Sequence, residues 1–214
     1  MELDKLPTYV FIDTSNIRAA CLKSCNIKID FFRLLDYFRQ KYPQLNDVRF
    51  YEGIAKGDTK KQETFRLLSE FGYTICGLQR MSYTDMPIVK KFFCKKCGHQ
   101  NRVTIVSKVK KMKSNVDVYL ATEMLDVAYH AKKPMHIILL SCDGDYAEAI
   151  KSSVNNKNVF VTVLATPPKK DIKINTLSIR LKKLRSEIPE QYQLSNIETI
   201  KKYITKKSGS EDTL

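Results

Sequence analysis

The sequence lacks any apolar run long enough to cross a lipid bilayer. Its longest runs are MHIILL (135–140) and VFVTVLA (159–165), whereas a membrane-spanning helix needs about 20 apolar residues. The N-terminal stretch MELDKLPTYVFID has acidic residues before its apolar run and no basic region, so it does not have the pattern of a secretory signal. We therefore expect no membrane partner.

Signatures of several common enzyme classes are also missing. The chain contains no Walker phosphate-binding loop, no G-x-G-x-x-G turn and no Ser-His-Asp order. NTPases, dinucleotide-binding enzymes and serine hydrolases therefore have no local support. A phosphatase is a weaker interpretation, because no D-x-D-x-T motif follows the first predicted strand.

Acidic residues are scarce relative to basic ones. The chain has 37 Lys and Arg against 23 Asp and Glu, which gives a formal net charge of +14. This excess favours a polyanionic partner, although charge alone does not distinguish RNA from DNA or an anionic membrane surface, and it also promotes solubility. Six cysteines without a predicted secretory signal indicate a reducing compartment, hence a cytoplasmic location, in which they stay thiols or bind metal.

The rest of the pattern alternates short apolar runs with amphipathic segments. Strands are predicted at 8–13, 48–55, 73–79, 135–141 and 159–166. Helices are predicted at 29–42, 58–72, 115–131, 145–156, 175–188 and 195–207. This alternation predicts an α/β fold with a mostly parallel sheet flanked by helices. We expect one domain over 1–205 with an inserted, cysteine-containing basic arm at 80–113, and a disordered tail at 206–214.

Capping residues support several of these helices. Asp30 and Asp58 are expected N-caps, and Gly72 is expected to end the second helix. Ser195 and Glu198 have the spacing of a capping box, which predicts that the last helix begins there.

Acidic side chains recur where predicted strands end and helices begin. Asp13 and Asp143 follow apolar strands, Asp145 opens a helix, and Asp117 lies in the first turn of another. Ligands bind outside the carboxyl ends of parallel strands, so Asp13 and Asp143 share a site if their strands are neighbours. Carboxylates suit Mg²⁺ or Mn²⁺. The alternative to a metal site is a structural role for each residue. Asp117 and Asp145 would stabilise the N-termini of their helices by their negative charge, and Asp13 would belong to a polar turn.

Three blocks of the chain match a known signature in order and spacing. They are VFIDTSNI (10–17), NVDVYLATEML (115–125) and LLSCDGDYAEAI (139–150). The chain thereby resembles the NYN domain family (LabA-like, within the PIN-like nuclease superfamily), and LSIRLKKLRSEI (177–188) resembles the C-terminal helix of that family. The resemblance covers residues 8–188. It implies a Rossmann-like, PIN-like sheet and metal-dependent RNA cleavage by a water nucleophile.

The resemblance also implies roles for individual residues. Five positions are candidate catalytic residues: Asp13, Asn16, Asp117, Asp143 and Asp145. The four aspartates would hold Mg²⁺ or Mn²⁺, and the asparagine would orient the cluster or a phosphate. Glu123 and Ser141 would support the site. The sequence departs from the family at Thr14 and Cys142, where glycine is usual, and at Tyr146, where phenylalanine is usual.

Cys94 and Cys97 form a C-x-x-C-G motif, which is the pattern of a zinc knuckle. A closed zinc site needs four ligands, no second C-x-x-C follows, and His99 lies too near the knuckle to be an expected ligand. Three interpretations remain open. Zinc is bound with donors from elsewhere, including the same pair of a second subunit in a homodimer; the motif is a metal-free remnant; or the cysteines are a redox pair.

Basic residues are concentrated between positions 90 and 113. Phe92 and Phe93 lie among them, and such a mixture is typical of proteins that bind single-stranded RNA through backbone contacts and base stacking. The expected RNA-binding residues are those nearest the acidic helix start: Lys108, Lys110, Lys111 and Lys113. The alternative is a solvated hairpin whose phenylalanines pack onto the domain.

Two functional hypotheses follow. The first is a metal-dependent ribonuclease that hydrolyses RNA phosphodiester bonds with a water activated by Mg²⁺ or Mn²⁺. The second is a non-catalytic RNA-binding or regulatory module that keeps the fold and part of the acidic site.

Overall fold

The computed structural model describes residues 2–84, 88–105, 110–171 and 175–205. The strands in these ranges are β1 (Thr8–Asp13), β2 (Leu45–Ile54), β3 (Thr74–Gln79), β4 (Met81–Thr84), β5 (Ile88–Phe93), β6 (Gln100–Ile105), β7 (Lys110–Lys113), β8 (Met135–Leu140), β9 (Val159–Ala165) and β10 (Tyr192–Asn196). The α-helices are α1 (Thr14–Cys25), α2 (Phe31–Lys41), α3 (Thr59–Phe71), α4 (Val116–Tyr129), α5 (Ala147–Val154), α6 (Ile179–Glu187) and α7 (Lys201–Ile204).

A six-stranded sheet forms the centre of the fold. Its strand order is β10-β9-β8-β1-β2-β3, and each pair of neighbours is parallel. The chain builds one half outward from β1 to β3, and then returns to place β8 on the other side of β1. This confirms the predicted α/β fold with a mostly parallel, Rossmann-like sheet. The strand order reverses between β1 and β8, and ligands bind in such sheets at the carboxyl edge beside a reversal of this kind.

The two strands at this reversal are buried on both faces. Val10, Phe11 and Ile12 are fully buried in β1, and all six residues of β8 are buried. Consecutive side chains of a strand point to opposite faces, so helices must cover both sides of the sheet. This burial explains why these strands are continuous apolar runs in the sequence.

The start of α2 agrees with the sequence prediction. The Asp30 carboxylate accepts hydrogen bonds from the backbone N–H groups of Phe32 and Arg33, at 3.0 and 3.2 Å. The helix buries its apolar stripe, of which Leu34 and Leu35 are almost completely enclosed. The cap satisfies donors that have no partner within the helix, and the stripe attaches the helix to the core.

The limits of α3 were also predicted correctly. Asp58 accepts a hydrogen bond from the Lys61 N–H at 3.0 Å, which caps the first turn. Gly72 ends the helix with a φ of 115°, in the left-handed region that favours glycine.

The prediction of a helix at 195–207 is wrong at its start, whereas residues 197–204 are helical and residues 206–207 lie outside the described residues. Residues 192–196 form β10 on the open edge of β9, and helical structure is limited to a 3₁₀ turn at 197–200 followed by α7. The cap is the Asn196 side chain, which accepts a hydrogen bond from the Glu198 N–H, rather than Ser195. Pairing with β9 extends through Ser195 and Asn196, so the helical segment begins two residues later than its capping pattern indicated.

Helix α1 was not predicted. Its buried side chains are few and mostly small, and they include Ile17, Ala20 and Cys21. A weak apolar stripe of this kind gives little periodic signal. The helix nevertheless connects β1 to the rest of the fold and begins directly at the acidic edge of the sheet.

The segment between β3 and α4 forms two antiparallel pairs, β4 with β7 and β5 with β6. The segment leaves the sheet where the Arg80 N–H donates to the Ile54 carbonyl at 2.8 Å. It returns at Ser114, whose side chain lies with that of Arg80 against Gly53 at the end of β2. The base of this segment, which we call the arm, is therefore at the carboxyl edge of the sheet.

Some predictions fall outside the described residues. These are the disordered tail at 206–214 and the RNA-binding candidate Lys108, and for Lys110 and Lys111 only the backbone is described. In the described part of the chain, every helix is too short or too polar to traverse a membrane.

Candidate active site

Asp13 lies at the carboxyl end of β1, at the reversal of strand order. Its carboxylate caps α1 by accepting a hydrogen bond from the Asn16 N–H at 3.3 Å. The other carboxylate oxygen accepts from the Tyr146 hydroxyl at 3.0 Å, and the Ser141 hydroxyl lies 3.5 Å from it. One carboxylate oxygen of Asp13 therefore caps α1, and the second oxygen is directed toward the residues that follow β8.

The Asp13 carboxylate is buried, with 8% of the residue exposed to solvent. Burial is the main cause that raises its pKa from 3.8 to about 6, and the charges of Asp143 and Asp117 raise it further. The hydrogen bonds from Asn16 and Tyr146 oppose this rise in the pKa. The three aspartates are therefore electrostatically coupled at one edge of the sheet.

The residues after β8 are held to β1 and α1 by hydrogen bonds. Ser141 accepts from the Asp143 N–H at 3.1 Å, and the Asn16 side-chain oxygen accepts from the Cys142 N–H at 2.8 Å. The Asp143 carboxylate accepts from the Asp145 N–H at 3.0 Å and so caps the 3₁₀ turn at 144–146. These bonds determine where the Asp143 carboxylate stands relative to Asp13.

Asp145 is oriented differently from the other candidates. Its side chain is 74% exposed and forms an ion pair with Arg180 of α6 at 3.3 Å. The N-cap residue of α6 approaches closely here, because a β-carbon at Gly144 would collide with the Ser178 side chain. Asp145 therefore stands on the outer side of the cluster.

Glu123, predicted to support the site, has its hydrogen bonds elsewhere. Its carboxylate binds the Arg49 guanidinium at 2.8 Å and the Tyr51 hydroxyl, so it connects α4 to β2. Six residues turn an α-helix by about 600°, which places Glu123 on a different face from Asp117. Its supporting role stays a prediction.

A second acidic residue near the edge, Glu52, is already neutralised. It is 3% exposed and forms ion pairs with Arg18 at 3.3 Å and Lys61 at 2.7 Å. The sequence analysis did not identify this network. The sequence feature that could have revealed the network is Glu52 itself, because a charged residue is rarely buried in an apolar strand unless its charge is paired. Arg18 belongs to α1 and lies one helical turn after Thr14.

The aspartates at the edge have no cationic partner of this kind. Among the described residues, no lysine or arginine forms an ion pair with Asp13, Asp117 or Asp143. A buried carboxylate beside two others is costly without a compensating positive charge. Oxygen donors with this uncompensated charge fit a hard cation such as Mg²⁺ or Mn²⁺, which keeps part of its water shell.

The described residues contain no group of three or more His, Cys, Asp or Glu side chains close enough to hold a metal ion. The predicted four-aspartate centre is therefore not assembled in this conformation. A cavity of about 350 Å³ lies away from the acidic edge, near the amino ends of the strands, and Pro7, Arg49 and His130 are among its lining residues.

Comparison with known proteins adds to this picture. A family model described as NYN domain matches residues 7–180, which is most of the chain. The chain belongs to the NYN domain family. This family is part of the PIN-like nuclease superfamily, which associates the chain with a nuclease-like, RNA-related function.

The NYN fold is also seen in a similar solved structure. A crystal structure of a protein of unknown function, VPA0982 from Vibrio parahaemolyticus RIMD 2210633, matches with a TM-score of 0.54 and 16% sequence identity. The match covers 91% of this chain and 95% of that one, and at this identity it supports the fold alone. A comparison with curated proteins gives no significant match.

The departures from the NYN signature pack beneath the edge. Cys142 is buried, and its sulfur lies 3.3 Å from the Thr166 hydroxyl. Thr14 is also fully buried. Tyr146 is the departure that contacts a candidate metal ligand, because its hydroxyl donates to Asp13. The sequence shows that tyrosine stands at position 146 in place of phenylalanine, but only the structure shows that its hydroxyl contacts Asp13.

The Tyr146→Phe variant is expected to leave the NYN fold intact and to raise the pKa of Asp13 above about 6, because that carboxylate loses a donor. The free energy of unfolding at neutral pH should fall by about 1–2 kcal/mol. Urea unfolding and a carboxyl NMR titration measure the two effects. Tyr129→Phe is the matched control, since Tyr129 is 83% exposed. Identical behaviour of the two variants would contradict the role of the Tyr146 hydroxyl.

The cysteine motif lies in the turn between β5 and β6. The Cys94 N–H donates to the His99 carbonyl and the Gly98 N–H donates to the Cys94 carbonyl, both at 2.9 Å. Backbone N–H groups of Cys97 and Lys96 point at the Cys94 sulfur and lower the pKa of that thiol. The turn therefore stabilises a thiolate at Cys94.

Proposed function

We propose that this protein is a metal-dependent ribonuclease that hydrolyses RNA phosphodiester bonds. The observation that carries the proposal is the buried Asp13 carboxylate at the strand reversal, coupled to Asp143 and Asp117 without a cationic partner among the described residues. Membership of the NYN family supports the same reaction class.

Asp13, Asp117 and Asp143 would hold Mg²⁺ or Mn²⁺, and Asp145 would join them. Such an ion, when bound, supplies an activated water and stabilises charge at phosphorus. The Asn16 N–H and the Tyr146 hydroxyl hold the two oxygens of Asp13 in fixed positions. Ser141 links Asp13 to the Asp143 backbone, so the two strand ends keep their separation.

Participation of Asp145 requires that its carboxylate leave Arg180. Both partners of this ion pair are more than half exposed, and exposed ion pairs contribute at most about 1 kcal/mol. The rearrangement is therefore inexpensive. It also leaves the Arg180 guanidinium with only its longer ion pair to Glu148, at 3.9 Å, so that Arg180 can contact an RNA phosphate beside the acidic edge.

Single-stranded RNA is the inferred partner, and the arm is the inferred contact surface. The arm begins and ends at the carboxyl edge, and exposed Lys113 precedes Asp117 by four residues. Lysines bind the phosphate backbone electrostatically, so affinity should fall with salt. The roles of Lys108, Lys110 and Lys111 stay predictions, as does the cytoplasmic location.

One observation favours the second hypothesis, a non-catalytic RNA-binding module. The described residues lack a preassembled group of three metal-binding side chains. In this hypothesis the acidic edge is a remnant and the basic surface carries the function.

Cleavage of labelled single-stranded RNA in EDTA, Mg²⁺ and Mn²⁺ distinguishes the two hypotheses. We expect product only with a divalent ion, and weaker RNA binding at higher salt. A DNA strand of the same sequence is the substrate control. Tight RNA binding without product under every metal condition would reject the ribonuclease and favour the binding module.

A further inference from the structure

The turn between β5 and β6 presents two thiols in a zinc-knuckle arrangement. Gly98 has a φ of 70°, which lets the chain fold back after Cys97. Both cysteines are free of disulfides, and Cys97 is exposed. N–H groups from the turn are directed at the Cys94 sulfur. Half of a tetrahedral thiolate site is therefore already formed.

The other cysteines lie within or beside the central sheet: Cys21 and Cys25 in α1, Cys76 in β3, and Cys142 after β8. They and all three histidines are among the described residues, where no third His, Cys, Asp or Glu joins the pair to form a metal-binding group. Structural zinc sites are almost always four-coordinate, and the described residues of one chain supply only this pair, which points to another chain as the source of the other two ligands.

The hairpin also exposes apolar surface beside the knuckle. Phe92 is 50% exposed, Phe93 67% and Val89 54%. The β5–β6 sheet has only two strands, and an isolated hairpin of this size is marginally stable in water. Val89 and Phe93 are four residues apart in β5 and therefore lie on the same face of the hairpin. A second hairpin packed on that face would cover these two side chains and stabilise both copies.

A second copy of this chain is the partner whose chemistry fits. A two-fold axis through the metal would bring an identical pair of thiolates from an identical turn. Lys95 and Lys96 would repel their counterparts, but a zinc ion with four thiolates carries a formal charge of about −2 that offsets this repulsion. The N–H groups aimed at sulfur stabilise the same negative charge.

We propose that Cys94 and Cys97 form half of a structural zinc site, and that a second copy of the chain supplies the other two thiolates. The four thiols release their protons as zinc binds. The proposal is independent of RNA cleavage, since the knuckle is separate from the aspartates.

The test measures zinc content and molar mass together. The protein is purified with a reducing agent, its zinc is quantified by mass spectrometry, and its mass is determined by light scattering during gel filtration. We expect a dimer with about one zinc ion per two chains. Removing zinc with a chelator should give monomers, and adding zinc should restore the dimer.

The double variant Cys94→Ser/Cys97→Ser should be monomeric and free of zinc, with unchanged far-UV circular dichroism because the central sheet is separate. Cys25→Ser is the matched control and should behave like the wild type. Cobalt substituted for zinc should give the absorption spectrum of four thiolate ligands. A monomer with one zinc per chain, a monomer without zinc, or a dimer that survives both the double substitution and chelation would each overturn the proposal.

Discussion

Replacing Asp143 by asparagine is expected to lower the rate of metal-dependent RNA cleavage by at least about 100-fold. The Asp143 carboxylate is coupled to Asp13 and would hold the metal ion. Asparagine keeps an oxygen that can accept from the Asp145 N–H, so the 144–146 turn should persist. RNA affinity should stay the same or rise, because a negative charge is removed from the path of the phosphates. Single-turnover cleavage and fluorescence anisotropy in EDTA measure the two quantities.

Asp126→Asn is the matched control for this prediction. Asp126 is also an aspartate, but its side chain is 71% exposed and its ion pair is with His130. The Asp126→Asn variant should cleave RNA at the wild-type rate. Equal rates in the wild type and Asp143→Asn would show that the cleavage comes from another site or from a contaminating nuclease.

Replacing Asp13 by asparagine is expected to stabilise the metal-free protein above about pH 6. The pKa of Asp13 is about 6 in the folded state and 3.8 as its ordinary value, so the folded state binds the proton more tightly. Ionisation therefore costs stability progressively from about pH 4 to pH 6, and the full cost of up to about 3 kcal/mol remains at higher pH. Burial is the main cause of this raised pKa, Asp143 and Asp117 raise it further, and the hydrogen bonds from Asn16 and Tyr146 lower it.

The measurement is the free energy of urea unfolding from about pH 4 to about pH 8, in EDTA, for both proteins. His136 titrates in the same range with the opposite sign, because burial lowers its pKa from 6.5 to about 4 and stability falls as pH decreases. This contribution is common to both proteins and cancels in their difference. Mg²⁺ should stabilise the wild type at neutral pH more than Asp13→Asn. A difference in stability that does not change with pH would refute the assignment of the raised pKa to Asp13.

Much of the architecture could be predicted from local pattern. The apolar runs of β1 and β8 show strands buried on both faces, and the spacing of Leu34 and Leu35 with their neighbours indicates α2. Because parallel strands place their carboxyl ends at one edge, adjacency of β1 and β8 was sufficient to bring Asp13 and Asp143 to the same side. The sequence by itself therefore determined the fold class and the strand ends that carry the aspartates, whereas the structure showed that β1 and β8 are neighbours.

Only the tertiary structure decided which partners the candidate site residues contact. Tyr146 reaches Asp13, Asp145 binds Arg180, and Glu123 binds Arg49. The sheet also gained β10 at residues 192–196, so the last helical segment begins at residue 197 and not at Ser195. Each outcome depends on pairing between elements distant in sequence and on the direction in which a side chain leaves its backbone. Local propensity and hydrophobic periodicity describe neither the pairing of distant elements nor the direction of a side chain, because both depend only on residues close together along the chain.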